Sequence, residues 1–413
     1  MSGLSPQHAA VTADDRARKL SIGFINWAHA IDHYVMLILA TAVIELSVVY
    51  GRSYAEVIAL GTPSFIAFGI FSLPAGWLGD RWSRRNMMML FYLGCGASLA
   101  AAALAPDLAL LAVALGALGA FAAIYHPVGT AMLIEQATSR GRSVAFNGVC
   151  GNFGVAFAAG ITATLIYFFS WRGAFLVPAF VCIATGIAYL CVVPDDRHKN
   201  ANRTSSPDVR LAPWVAATMF ALFILIAVSA GLVFHIATIA LPKIIDERVG
   251  FAASLLQVGG IATLILMCGA LAQFSIGRLV DRFPLHLLFA GVALLQFAGV
   301  VWVAYASGPL LPVALAVAVA AIYAQVTVND LVIARYTADA WRARVFAVRY
   351  FVTFLASGAA VSLIAFLHAR GGFDLVLSAM ALIGLGFVVG TCAIAVLVNS
   401  AEKVTGKFAQ PAE

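Results

Sequence analysis

Asn26, His29, Asp32, His33 and Met36 recur along the first long apolar run of the chain. At about 100° per residue they fall within an arc of roughly 120°, so a helix presents all five on one face near its middle. Trp27 and Glu45 point away from that face. A carboxylate at membrane depth with imidazoles beside it can take and release a proton. Asp32 is therefore the expected proton-coupling group, with His29 or His33 as relay, and with Asn26 and Met36 as solute contacts. The same face allows an alternative, a transition-metal site of His29, Asp32, His33 and Met36, because two imidazoles one turn apart, a carboxylate and a thioether are all donors. A polar knot that only fixes helix packing is the plainest reading, but ionisable groups inside spans carry an insertion cost of about 2.5–3.5 kcal/mol each and are functional by default.

Other apolar runs add candidates. Tyr125-His126-Pro127 sets an imidazole just before a residue that lacks an N–H and frees a backbone carbonyl, which kinks a helix. His126 is expected to join the proton-coupling set and Tyr125 the solute site. Asn152 stands among glycines at 148, 151, 154 and 160, which let a helix approach a neighbour closely; it too is read as a solute contact. His235 lies within about a turn of the position symmetric to His33 and Met36, and is expected to face the same cavity. Asp330 and Arg335 end another apolar run, where an Asp–Arg pair can gate access.

These groups need apolar elements to hold them. Of 413 residues, 62% are hydrophobic and 11% charged, against about 25% charged in soluble domains, so the chain is an integral membrane protein. Runs of about 20 apolar residues mark helical spans. They fall near 20–47, 54–79, 86–105, 108–134, 143–169, 172–193, 214–241, 252–279, 284–306, 309–335, 344–368 and 374–398, twelve in all. The expected organisation is an N-terminal tail at 1–19, a six-helix half at 20–193, a linker at 194–212, a second six-helix half at 214–398 and a tail at 399–413. The six cysteines lie inside apolar runs with no CxxC pair, as small core residues do. The N-terminal tail is polar, and the apolar run after it is too long for a cleavable signal.

The basic residues test the topology. Twenty of the 25 Lys and Arg lie in or beside even-numbered loops or tails, which by the positive-inside rule puts both termini in the cytoplasm. The net charge of +6 is thus a topological signal, and no nucleic-acid partner is expected. The halves also repeat: Gly277-Arg278-Leu279-Val280-Asp281-Arg282 follows Gly76-Trp77-Leu78-Gly79-Asp80-Arg81 by 201 positions, and Arg342-Ala343-Arg344 follows Arg140-Gly141-Arg142 by 202. Two pseudo-symmetric six-helix halves are an architecture of secondary transporters.

The charged island Gly76-Trp77-Leu78-Gly79-Asp80-Arg81-Trp82-Ser83-Arg84-Arg85 resembles the loop between the second and third membrane helices of the major facilitator superfamily, with Ser83 where that family usually has Gly. Trp171-Arg172 at the start of the sixth span is a second likeness. Together, Tyr125-His126-Pro127 and Gly151-Asn152-Phe153-Gly154 resemble most the fosmidomycin-resistance-like branch; the arginine that many proton-coupled drug exporters carry in the fourth span is absent, and so is the Gly-Pro of their fifth. The resemblance implies an all-α fold of twelve spans and alternating access. It also implies that Gly76, Asp80, Arg81, Arg84 and Arg85, with Asp281 and Arg282 in the repeat, form conformational loops.

Together these features predict a secondary active transporter of the inner membrane, coupled to protons, that moves a small organic solute such as a drug or metabolite. The chain has no Gly-x-x-x-x-Gly-Lys-Ser/Thr loop, so nucleotide-driven transport is not expected. Neither an enzymatic activity nor a cofactor is expected, and one chain can contain the complete mechanism. No Lys or Arg sits mid-span in the first half, which disfavours multiply anionic solutes. The alternative cargo is a transition metal or a metal complex held by the first helix.

Overall fold

The computed structural model describes residues 6–194, 213–280, 282–337 and 339–405. Asp281, nearly all of the 194–212 linker and the extreme ends of both tails lie outside the described residues. Apolar runs this long can satisfy their backbone hydrogen bonds in lipid by folding into helices, and among the described residues the regular structure is helical throughout. The main elements are α1 (Pro6–Tyr50), α2 (Tyr54–Ile58), α3 (Thr62–Arg81), α4 (Arg84–Leu104), α5 (Leu108–Ala122), α6 (Thr130–Gln136) and α7 (Arg140–Val192). They continue with α8 (Pro213–Arg248), α9 (Leu255–Val280), α10 (Leu285–Tyr305), α11 (Leu311–Tyr336) and α12 (Asp339–Thr405). Helix α1 begins at Pro6, so most of the expected N-terminal tail continues the first span as helix.

Ten stretches are long and apolar enough to cross a membrane. Two of them, Arg142–Val192 and Phe351–Ser400, run to 51 and 50 residues, roughly 75 Å of helix against a hydrocarbon core of about 30 Å. Each is broken midway. In α7 the break is Ser170, with φ 65° and ψ 176°, a conformation uncommon outside glycine. It is pinned by its neighbours: Trp171 is buried against Tyr50, and the Arg172 guanidinium lies 4.3 Å from the Trp171 ring. In α12 the chain turns at Gly371 and at Gly372, whose φ of 58° costs a glycine little. Counting each broken helix as two spans gives the expected twelve.

Contacts divide the chain into two units, Met1–Asn202 with Ser254–Thr263, and Arg203–Ala253 with Leu264–Glu413. Within the first, α1 and α4 pack on α7, and α3 and α4 on α5. Within the second, α8 and α10 pack on α12, and α10 on α11. The recurrence of a first and a third span against the long broken helix is the repeat expressed as packing.

Small residues set how closely the helices approach. A Cβ on Gly119 would stand 1.8 Å from the Ser64 carbonyl oxygen, and one on Gly154 would stand 2.2 Å from that of Ala30. Gly119→Ala is expected to lower stability by about 1–3 kcal/mol through overpacking, read as a lower midpoint of thermal unfolding in detergent. Gly23→Ala, with open space where its Cβ would stand, is expected to leave the midpoint unchanged.

Candidate functional site

Helix α1 carries Asp32 at its centre, and the side chain is wholly buried. Neither carboxylate oxygen makes a hydrogen bond among the described residues. The imidazole of His126 stands beside it, with Nε2 3.4 Å from Asp32 Oδ2. A buried carboxylate left unbonded is costly, and an imidazole at this distance can accept its proton or hold its charge.

His126 reaches this position because the fourth span is not a regular helix. Residues Tyr125–Gly129 form one wide π turn between α5 and α6. Pro127 cannot donate to the helical ladder, and a π turn is a usual way to absorb that defect. The turn is seated on α3 through two glycines: a Cβ on Gly76 would lie 3.1 Å from Pro127 Cβ, and one on Gly79 2.9 Å from Val128 Cγ2.

The other imidazoles gather around this pair. His33 Nε2 lies 3.1 Å from His29 Nε2, and His29 Nδ1 lies 2.8 Å from the main-chain oxygen of Asn147 on α7. The His126 ring stands edge-on to those of His29 and His33, at 5.4 and 5.6 Å between centroids. Tyr125 is buried, stacks on His29 at 4.8 Å and donates its hydroxyl to Asn147 Oδ1 at 3.0 Å. Asn147 Nδ2 in turn donates to Asn26 Oδ1 at 3.0 Å. Spans one, four and five are thus tied by one polar network, and Asn147, at its centre, was not among the residues the sequence singled out.

The four metal donors expected on α1 do not assemble. Met36 is buried and its sulfur accepts from Ser64 Oγ at 3.6 Å, so it serves packing between α1 and α3. His29 and His33 converge with His126 instead, their ligand atoms all within 4.8 Å of one another. Asn152 is half-buried on α7. His235 belongs to the second unit, half-buried on α8, with its ring 5.4 Å from that of Phe234.

The charged island after α3 is an ion-pair chain. Arg84 bonds Asp80 at 2.8 Å and Glu135 of α6 at 2.9 Å. Arg85 donates to the carbonyls of Leu190 and Val193, both at 2.8 Å, where α7 ends. Arg81 lies over the Trp77 ring at 4.7 Å. Ser83 takes over the turn as the N-cap of α4, accepting from Asn86 N–H at 3.0 Å, a role glycine fills less strongly. In the second unit Arg282 is exposed in the turn after α9. The expected Asp330–Arg335 pair does not form: Asp330 pairs with Arg349 of α12, and Arg335 is exposed. Arg335 lies five residues beyond Asp330, on a different face of α11.

Comparison with known proteins gives one consistent picture. The pattern of the Major Facilitator Superfamily matches residues 24–357. A relative from Cupriavidus pinatubonensis (strain JMP 134 / LMG 1197), the "Probable 4-methylmuconolactone transporter", is 25% identical over 302 residues, 70% of this chain and 67% of the relative. Among solved structures, a bacterial homolog of the human lysosomal transporter Spinster aligns with a TM-score of 0.67, covering 97% of this chain and 96% of that one at 14% identity. That likeness is one of fold.

The Asp330–Arg349 pairing makes a simple prediction. Arg349→Ala is expected to lower the thermal midpoint in detergent, and exchanging the two charges (Asp330→Arg with Arg349→Asp) to restore part of it. Arg335→Ala is expected to leave it unchanged.

Proposed function

Since this chain belongs to the major facilitator superfamily, we propose that it is a proton-coupled secondary transporter of a small organic solute, with Asp32 and His126 exchanging the coupling proton. Membership makes it a multi-pass membrane transporter and not an enzyme. The observation that carries the coupling is the wholly buried Asp32 carboxylate, unbonded except for the imidazole 3.4 Å away. Such a pair can hold one proton between two groups, and alternating access can expose it to each side in turn.

An organic cargo is favoured over a metal on two grounds. Met36 is engaged with Ser64, and the relative from Cupriavidus is named for a lactone. The half-buried imidazoles and Asn152 offer hydrogen bonds to a small oxygenated solute, while Tyr125 and Asn26 are bonded to Asn147; mid-span lysine or arginine for a multiply charged anion is absent from the first half. The distribution of basic residues supports an inner-membrane location with both termini cytoplasmic, and a single chain suffices for the mechanism.

The test is proton movement across proteoliposomes on addition of 4-methylmuconolactone, related lactones and hydroxy acids, cationic drugs, or Zn and Cu salts. The wild type is expected to move protons with an organic solute, and Asp32→Asn and His126→Gln to fall to the protein-free background. Solute uptake with no proton movement in the wild type sinks the coupling. A response to metal alone, lost in His33→Ala, replaces the organic cargo with an ion.

A further inference from the structure

We propose that Asn147 and Gly151 form a seat that fixes His29 as a single tautomer, so that His29 orients the cluster while the mobile proton is exchanged among Asp32, His126 and His33. This rests on the proton-coupled reading above and assigns within it a role that the glycine pattern alone does not reveal.

The seat follows from helix geometry. In an α-helix the carbonyl of residue i accepts the N–H of residue i+4, and side chains lean toward the N-terminus, over the preceding turn. Residue 151 is i+4 to Asn147, so a side chain there would lean over the Asn147 carbonyl. Gly151 has none, and a Cβ in its place would stand 2.6 Å from both Cε1 and Nε2 of His29. The space it leaves is where the His29 ring sits, with Nδ1 2.8 Å from the Asn147 oxygen. That oxygen has a second lone pair for the ring to use. The Asn147 side chain bridges Asn26 on one side and Tyr125 on the other, and the Tyr125 ring stacks over His29.

A carbonyl accepts and never donates, so the proton on His29 resides at Nδ1 and the lone pair at Nε2. The 3.1 Å contact between the two Nε2 atoms then requires His33 to be the donor, which leaves the lone pair of neutral His33 at its Nδ1. Two tautomers are assigned in series from one backbone oxygen. His29 cannot pass its Nδ1 proton onward, because the group it faces cannot take it. Among the described residues, the titratable side chains whose rings contact His29 are His33, His126 and Tyr125, and Asp32 lies 3.4 Å from His126. Asn147 and Gly151 are therefore positioning residues, acting on the proton through His29.

The direct test is ¹⁵N solid-state NMR of full-length, ¹⁵N-histidine-labelled protein in lipid, with His29 assigned by the signal missing in His29→Asn. The expected spectrum shows His29 protonated at Nδ1, with the lone pair at Nε2. Gly151→Ala is expected to lose that signature and to shift the pH profile of transport, whereas Asn147→Ala, which keeps the main-chain oxygen, is expected to keep the signature. Gly148→Ala, on the same helix with open space where its Cβ would stand, is expected to change neither. A His29 signal unprotonated at Nδ1 overturns the seat whatever the variants do. Wild-type transport without proton movement, with the Nδ1-protonated signature intact, leaves the seat standing and removes the coupling reading instead.

Discussion

A carboxylate buried at membrane depth is the constraint around which the first unit is built. Asp32 is wholly removed from solvent, and the group that answers it, His126, comes from a different span. To deliver an imidazole there, the fourth span gives up regular helix for one wide turn at Pro127, and α3 gives up side chains at Gly76 and Gly79 to let that turn sit down. The same α3 ends in Asp80, whose partner Arg84 also holds Glu135 at the end of α6. One continuous piece of structure therefore runs from the buried carboxylate, through the π turn, to the charged island. Its parts are helix packing, a proline defect and an ion-pair chain, each of ordinary strength.

The backbone irregularities are where helices must change what they do. Ser170, Gly371 and Gly372 break helices more than twice as long as the hydrocarbon core is thick. Tyr125–Gly129 breaks one that is not too long, in order to aim a side chain. The first kind is dictated by the membrane and recurs in both units; among the described residues the second occurs in the first unit alone.

Much of the fold could be read from the sequence. Apolar run lengths, the basic residues and the repeat of Gly76–Arg81 at Gly277–Arg282 lead to twelve spans, and the helix breaks fall at residues 170 and 371–372, between the spans placed at 143–169 and 172–193, and at 344–368 and 374–398. His126 was legible because proline stands next to it, and Asp32 because a carboxylate in an apolar run announces itself. What could not be read was pairing between helices. Met36 shares the helical face of Asp32, yet its partner Ser64 comes from α3. Asp330 has Arg335 near it in sequence and Arg349 near it in space. Asn147 was hidden for a different reason: what it offers His29 is a main-chain oxygen, which every residue has, and the signal for its availability is the glycine four positions later.

The central claim is that Asp32 couples the solute to the proton and does not hold the helices together. Sealed vesicles carrying Asp32→Asn separate these roles when solute counterflow and proton-driven accumulation are measured on the same preparation. The variant is expected still to exchange solute across the membrane and no longer to accumulate it against a gradient under an imposed proton gradient. Accumulation by Asp32→Asn at the wild-type level would contradict the coupling role.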